Sequence, residues 1–261
     1  MLYSKGYGLE KLDKPVLLIL HGLFGSSTNW HSMANRFSLN HRVYNIDLRN
    51  HGRSPWFDKH SYPAMAEDVA NFIIQNKLGK VSVLGHSMGG KAAMQFALTN
   101  PALLENLIVA DIAPVSYADR EHAGLIQSMQ GLSLENITSR KAADLALSDT
   151  VSHPGVRAFL LQNLVFNDAD NLWQWRLNLA VLLSYLANIM AFPRVESPCS
   201  APSLFVYGKS SNYVTEENKT VIAKHFPASH LAEIENAGHW LHAEQPTAFY
   251  STCTDFLAKS T

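Results

Sequence analysis

The stretch VSVLGHSMGG, residues 81–90, decides the fold. Its first four residues are apolar apart from Ser82 and β-rich, as expected of a strand buried on both faces. Gly85-His-Ser87-Met-Gly89 follows at once, and then an Ala-rich helical pattern, 88–100, that stops before Pro101. A G-x-S-x-G between strand and helix reads as a nucleophile elbow. Only glycine fits two residues either side of so tight a turn. The turn lifts the Ser87 hydroxyl above the sheet at a helix N-terminus, whose positive dipole favours a developing oxyanion.

Gly85-xxxx-Gly90-Lys91 also spells the start of a phosphate-binding loop. The next residue, however, is Ala92, so the hydroxyl that would hold Mg²⁺ is missing. Bulky His86 and Met88 also stand where a phosphate cradle needs small residues. The nucleotide reading is set aside.

Outward from the elbow, similar apolar runs recur at 15–20 (PVLLIL), 43–47 and 106–111 (NLIVAD). Between them, 62–78 places Met65, Val69, Phe72 and Ile73 at helical spacing. This alternation predicts a doubly wound α/β core with a mostly parallel sheet flanked by helices. From 116 to 195 strands disappear from the pattern, and 140–147, 156–165 and 172–191 read as helices, with Phe159, Phe166, Trp173, Trp175 and Tyr185 among them. The alternation resumes with a strand at 203–207, a helix at 216–225, a strand at 231–234 and a last helix at 246–258. The expected layout is a core of 1–115 and 196–261 interrupted by an all-helical cap, 116–195.

The 261 residues suffice for one large domain with an inserted subdomain. Lys plus Arg number 21 against 22 Asp plus Glu, a balance that offers no footprint for nucleic acid or an anionic membrane. No apolar run reaches the roughly 18 to 20 residues a bilayer demands, and no basic-apolar-small leader opens the chain. Two cysteines cannot staple a domain of this size, so a reduced, cytoplasmic setting is expected. The spacing of the last helix makes Cys253 a core residue, and Cys199, beside two prolines, a loop thiol.

A serine is a poor nucleophile without a histidine that is itself oriented by a carboxylate. In this architecture the order along the chain is Ser, acid, His. Of twelve histidines, His239 is placed best, in the turn Asn236-Ala-Gly-His-Trp240 just after the last strand. His242, three residues on, suggests a metal pair, but no third ligand has fitting spacing. The loop after the 203–207 strand, Gly208-Lys-Ser-Ser-Asn-Tyr213, holds no carboxylate. Asp111, closing NLIVAD at the same sheet edge as the elbow, is the favoured acid, with Glu216, Glu217 and Asp119 as alternatives. An acid ending an apolar strand would be out of place unless paired.

The oxyanion hole needs two backbone N–H donors. Met88 follows the nucleophile, and Leu23 lies in His21-Gly-Leu-Phe-Gly25 after the 15–20 strand. Asp47-Leu-Arg-Asn-His-Gly-Arg-Ser54 reads as a structural loop, with Asp47 capping and Arg49 paired. Substrate contacts are expected from Phe24, Trp173, Trp175 and Trp240, the insertion roofing Ser87 and excluding water.

HGLFGSSTNW (21–30), DLRNHGRSP (47–55), GHSMGGKAAM (85–94), DIAPV (111–115) and GHWLHAEQP (238–246) resemble the α/β-hydrolase superfamily, and more closely its YbfF-type bacterial esterases and related mitochondrial hydrolase-domain proteins. The resemblance runs nearly end to end, including NLVFN and WRLNL in the insertion. It implies a carboxylesterase or thioesterase with a helical cap, acting on short acyl esters and acyl-CoA thioesters, and it implies that the acid is Asp111. The loop Gly208-Lys-Ser-Ser-Asn departs from the Gly-Gly-Asn-Ser of relatives, which bears on pocket shape. The expected partner is a small acyl ester or thioester, with no nucleic acid and no membrane span, on a monomer or dimer. The chemistry calls for no metal or organic cofactor. Ser87 argues against dehalogenase and epoxide hydrolase chemistry, which use Asp at the elbow. A cofactor-free haloperoxidase or perhydrolase, or a non-enzymatic receptor that keeps the triad, are the rival readings.

Overall fold

The computed structural model describes residues 1–118 and 121–259. In chain order the strands are β1 Ser4–Tyr7, β2 Val16–Leu20, β3 Arg42–Ile46, β4 Val81–His86, β5 Leu104–Ala110, β6 Leu164–Asn167, β7 Leu172–Trp175, β8 Ser203–Gly208 and β9 Ser229–Ile234. The helices are α1 His31–Phe37, α2 Tyr62–Gln75, α3 Met88–Thr99, α4 His122–Gln130, α5 Arg140–Leu147, α6 Pro154–Leu161, α7 Leu179–Ser184, α8 Leu186–Met190, α9 Glu216–His225, α10 Leu241–Glu244 and α11 Pro246–Lys259.

Seven strands form one sheet in the order β1-β3-β2-β4-β5-β8-β9. Only β1 runs antiparallel, against β3; the other neighbours are parallel. Alternation along the buried strands divides the core between the two faces. Leu18 and Leu20 pack with Val69 and Ile73 of α2 and Ala93 and Phe96 of α3. Leu17 and Ile19 pack on the opposite face with Met33 and Phe37 of α1 and Phe249 and Cys253 of α11. This two-faced burial is why β2 reads as an unbroken apolar run. Both cysteines are buried and free, Cys199 from within a loop. Among the described residues, no helix is long and apolar enough to cross a membrane.

The segment between β5 and β8 is not all-helical. It carries helices α4 to α8 and an antiparallel hairpin, β6 with β7, in the register Leu164–Trp175 to Asn167–Leu172. The expected helix over 172–191 is therefore β7 followed by two short helices, and the expected 156–165 helix ends at Leu161. The cause is local. Asp168-Ala-Asp-Asn171 forms a turn in which Asn171 takes φ 53°, and Asn167 accepts the Ala169 N–H. On either side the aromatics alternate as strands require, with Phe166 and Trp173 edge to face at 5.4 Å. Asn178 then starts α7 by accepting the Val181 N–H.

Candidate functional site

Gly22, Ser87, Asp111 and His239 follow the carboxyl ends of strands, and Gly208 closes β8, at one edge of the sheet. That edge is where open α/β sheets gather their ligand-binding loops.

Ser87 sits at φ 53°, ψ −118°, between β4 and α3. Such a backbone costs on the order of 1–3 kcal/mol and persists only when its surroundings impose it. Here a Cβ on Gly85 would strike the Gly89 carbonyl, and one on Gly89 would strike the carbonyls of Leu20 and His21. The Ser87 N–H donates to the Ala110 carbonyl at 3.0 Å, pinning the turn to β5.

Asp111 is fully buried and also left-handed, at φ 51°. Its Oδ1 accepts the Gly208 N–H at 3.1 Å, and its Oδ2 accepts the Ser211 hydroxyl. Oδ2 also accepts from His239 Nδ1 at 2.6 Å. The loop that lacks a carboxylate thus supplies two donors that hold one. These bonds satisfy the buried carboxylate and assign the His239 proton to Nδ1, leaving Nε2 free to accept. Glu216 and Glu217 lie in the first turn of α9, away from this network, and Asp119 lies outside the described residues.

His239 is a quarter exposed and stacks on Tyr213 with ring centroids 4.2 Å apart. Its backbone is held from below, where His86 Nε2 donates to the His239 carbonyl at 2.8 Å. His242 stacks flat on Trp30 at 4.1 Å and meets the His86 ring at 4.9 Å. Burial pushes the imidazoles of His86 and His242 down, that of His242 to about 3, so both are neutral at pH 7. Among the described residues no group of three or more metal-ligating side chains converges.

Ser87 and His239 line one cavity of about 250 Å³, together with Leu23, Phe24, His122, Leu125, Phe159 and Trp240. Among the described residues no hydrogen bond joins Ser87 to His239. A smaller recess of about 30 Å³ continues past Ser87 and Met88 to Tyr62, Lys91, Tyr117 and Met190. Leu23 and Met88 thus flank Ser87, and neither of their N–H groups donates to another described residue. Behind Leu23, His51 Nε2 accepts the Phe24 N–H at 3.3 Å and supports the left-handed Phe24, φ 61°.

Of the four expected substrate contacts, Phe24 and Trp240 line the cavity; Trp173 and Trp175 do not. The hairpin carries them elsewhere. Trp175 is buried with its Nε1–H on the Met129 carbonyl at 3.0 Å, and Trp173 packs on Phe166. The Asp47 loop is structural. Asp47 accepts the backbone N–H groups of Ser27 and Arg53, and Arg49 makes a two-pronged pair with Asp68 at 2.6 and 2.8 Å. Ser211, His86, Tyr213, Phe159 and the burial of Lys91 escaped sequence reasoning, since each acts through a contact with a residue distant in the chain.

The α/β hydrolase fold family matches residues 15–246. The sn-1-specific diacylglycerol lipase ABHD11 of Mus musculus is 40% identical over 251 residues, spanning 94% of this chain and 81% of its own length. Esterase YbfF of Escherichia coli (strain K12) is 33% identical over 245 residues, spanning 94% and 93%. The solved structure of a marine microorganism esterase superposes with a TM-score of 0.93 at 38% identity, covering 98% of both chains.

Proposed function

The chain belongs to the α/β-hydrolase family and is a hydrolase, and from that premise we propose that it is a serine carboxylesterase or thioesterase cleaving short acyl esters and acyl-CoA thioesters. The observation that carries this reading is the Asp111–His239 hydrogen bond, which opens onto the same cavity as a strained, upturned Ser87.

In this reading His239 Nε2 takes the Ser87 proton as Oγ attacks the acyl carbonyl. The hydrogen bond from Oγ to Nε2 forms when substrate is seated. The N–H groups of Leu23 and Met88 hold the tetrahedral oxyanion, aided by the positive end of α3. Asp111 keeps the imidazole in its tautomer and stabilises the charged form without taking its proton. His239 then protonates the departing alcohol or thiol, and water releases the acid by the reverse path. Residues 116–195 serve as the cap over a core of 1–115 and 196–261. Two free, buried cysteines favour a cytoplasmic site of action.

The test is Ser87→Ala. It should abolish the burst with p-nitrophenyl butyrate and labelling by a fluorophosphonate, with the circular dichroism unchanged. A surviving burst assigns the nucleophile elsewhere. Labelling of the wild type without turnover would make the molecule a receptor instead.

A further inference from the structure

Lys91 is 2% exposed, one helical turn beyond Ser87 on α3. Residues four apart on a helix are neighbours, and side chains lean toward the helix N-terminus, so the lysine leans toward the nucleophile. Its Nζ donates to the carbonyls of Met190 and Ala191, each at 2.8 Å, at the end of α8. The Tyr117 ring lies 4.8 Å from it and the Tyr62 ring 5.7 Å. Among the described residues no carboxylate pairs with it. Buried charges are ordinarily paired with an opposite charge, and an ammonium has three N–H donors. Two carbonyls use two of them, and Lys91 lines the small recess beside Ser87.

The two lobes of the site have different chemistry. The leaving group must receive its proton from His239, which lines the larger lobe, so the alcohol or thiol belongs there. The acyl group then points into the recess past Met88, toward Lys91. We propose that Lys91 is a specificity residue whose ammonium receives a carboxylate at the far end of the acyl group, so that the preferred substrates are half-esters of short dicarboxylic acids. The proposal rests on the Ser87 reading above and names its acyl class. An incoming carboxylate supplies the counter-charge that the recess lacks and a charge-assisted hydrogen bond. Burial alone pulls the Lys91 pKa down to about 7, so the free ammonium is costly to keep and an anion stabilises it.

The experiment compares monomethyl malonate, succinate and glutarate with the methyl esters of the matching half-amides, neutral and of the same shape, by methanol release. The wild type should favour at least one acid over its amide by about tenfold or more in kcat/KM, the size of a hydrogen bond to a charged group. Lys91→Met should bring that ratio to one or below. A wild-type ratio of one or less overturns the proposal. So does a ratio that Lys91→Met leaves intact, which would make Lys91 only a cap on α8. Should Lys91→Met fail to fold, inhibition of wild-type methyl butyrate hydrolysis decides: succinate should inhibit more tightly than succinamide, and equal inhibition overturns the proposal. Failure of the underlying reading looks different, because Ser87 then goes unlabelled by a fluorophosphonate and every ester is left intact.

Discussion

His86 Nε2 donates to the carbonyl oxygen of His239 across 2.8 Å, joining the residue before Ser87 to the loop that carries His239. The two are 153 positions apart, yet this bond ties the His86 ring to the His239 backbone, where the proposed mechanism passes a proton. The His86 ring also stands 4.7 Å from the His239 ring and 4.9 Å from His242, so it fills the space beneath the loop as well as bonding it. His86→Phe keeps the ring and removes the donor. It should lower kcat for p-nitrophenyl butyrate about tenfold and destabilise the fold by about 1–3 kcal/mol, the cost of leaving a carbonyl unsatisfied. Urea unfolding and steady-state kinetics check it; full activity at unchanged stability would remove His86 from the positioning of His239.

Asp111→Asn retains the shape of the side chain but cannot hold the same imidazole tautomer. By analogy with the protease triad, kcat should fall by roughly 10⁴. KM should stay near its wild-type value, because Asp111 is fully buried and bonded to His239. If Glu216→Gln costs as much, the acid is misassigned.

The histidines should make the protein acid-labile. Burial, foremost, lowers the pKa of His60 and of His242 to about 3 and takes those of His51 and His86 well below the ordinary value. In the unfolded chain all four titrate near 6.5. As pH falls below that, the unfolded state binds protons that the native state refuses. The stability present above pH 6.5 is then lost progressively down to about 3. At ~1.4 kcal/mol per pH unit for each proton, His60 and His242 alone should remove on the order of 4 kcal/mol between pH 6.5 and 5. Urea denaturation at pH 7 and pH 5 measures this, and equal unfolding free energies would contradict it.

Phe159 of α6 and Trp240 approach to 6.0 Å across the larger lobe, which the proposed mechanism gives to the leaving group. Phe159→Ala should widen that lobe without reaching the recess beyond Ser87. The ratio of kcat/KM for 1-naphthyl acetate over methyl acetate should rise several-fold, by roughly the 1–3 kcal/mol that a cavity-filling group discriminates. The preference among acyl chains on a common alcohol should hold. A shift in acyl preference instead would reverse the assignment of the two lobes.

What could be read from residues alone was whatever short-range sterics or burial on both faces imposes. The 85–89 glycines declare their turn because a Cβ there meets backbone whatever the rest of the chain does. β2, β4, β5 and β8 declare themselves by largely apolar runs, because parallel strands are covered on two sides. Asp111 stood out as an acid ending such a run. β1 did not, since a four-residue edge strand such as Ser-Lys-Gly-Tyr is half exposed and owes its conformation to pairing with β3. The hairpin was missed for a related reason: its apolar residues suit a helix as well as a strand, and only the turn at 168–171 separates the two.

The sequence by itself determined the elbow, the α/β alternation and the order in which serine, acid and histidine occur, because each is a local steric or burial requirement written in neighbouring residues. The tertiary structure alone decided which side chains serve them. Ser211 and Gly208 became donors to Asp111, His86 a strut for His239, Lys91 a buried amine one helical turn from Ser87, and Trp173 and Trp175 stood outside the cavity. Each of those roles is a contact between segments far apart in the chain, and such contacts leave no periodicity or spacing for a reader of the sequence to find.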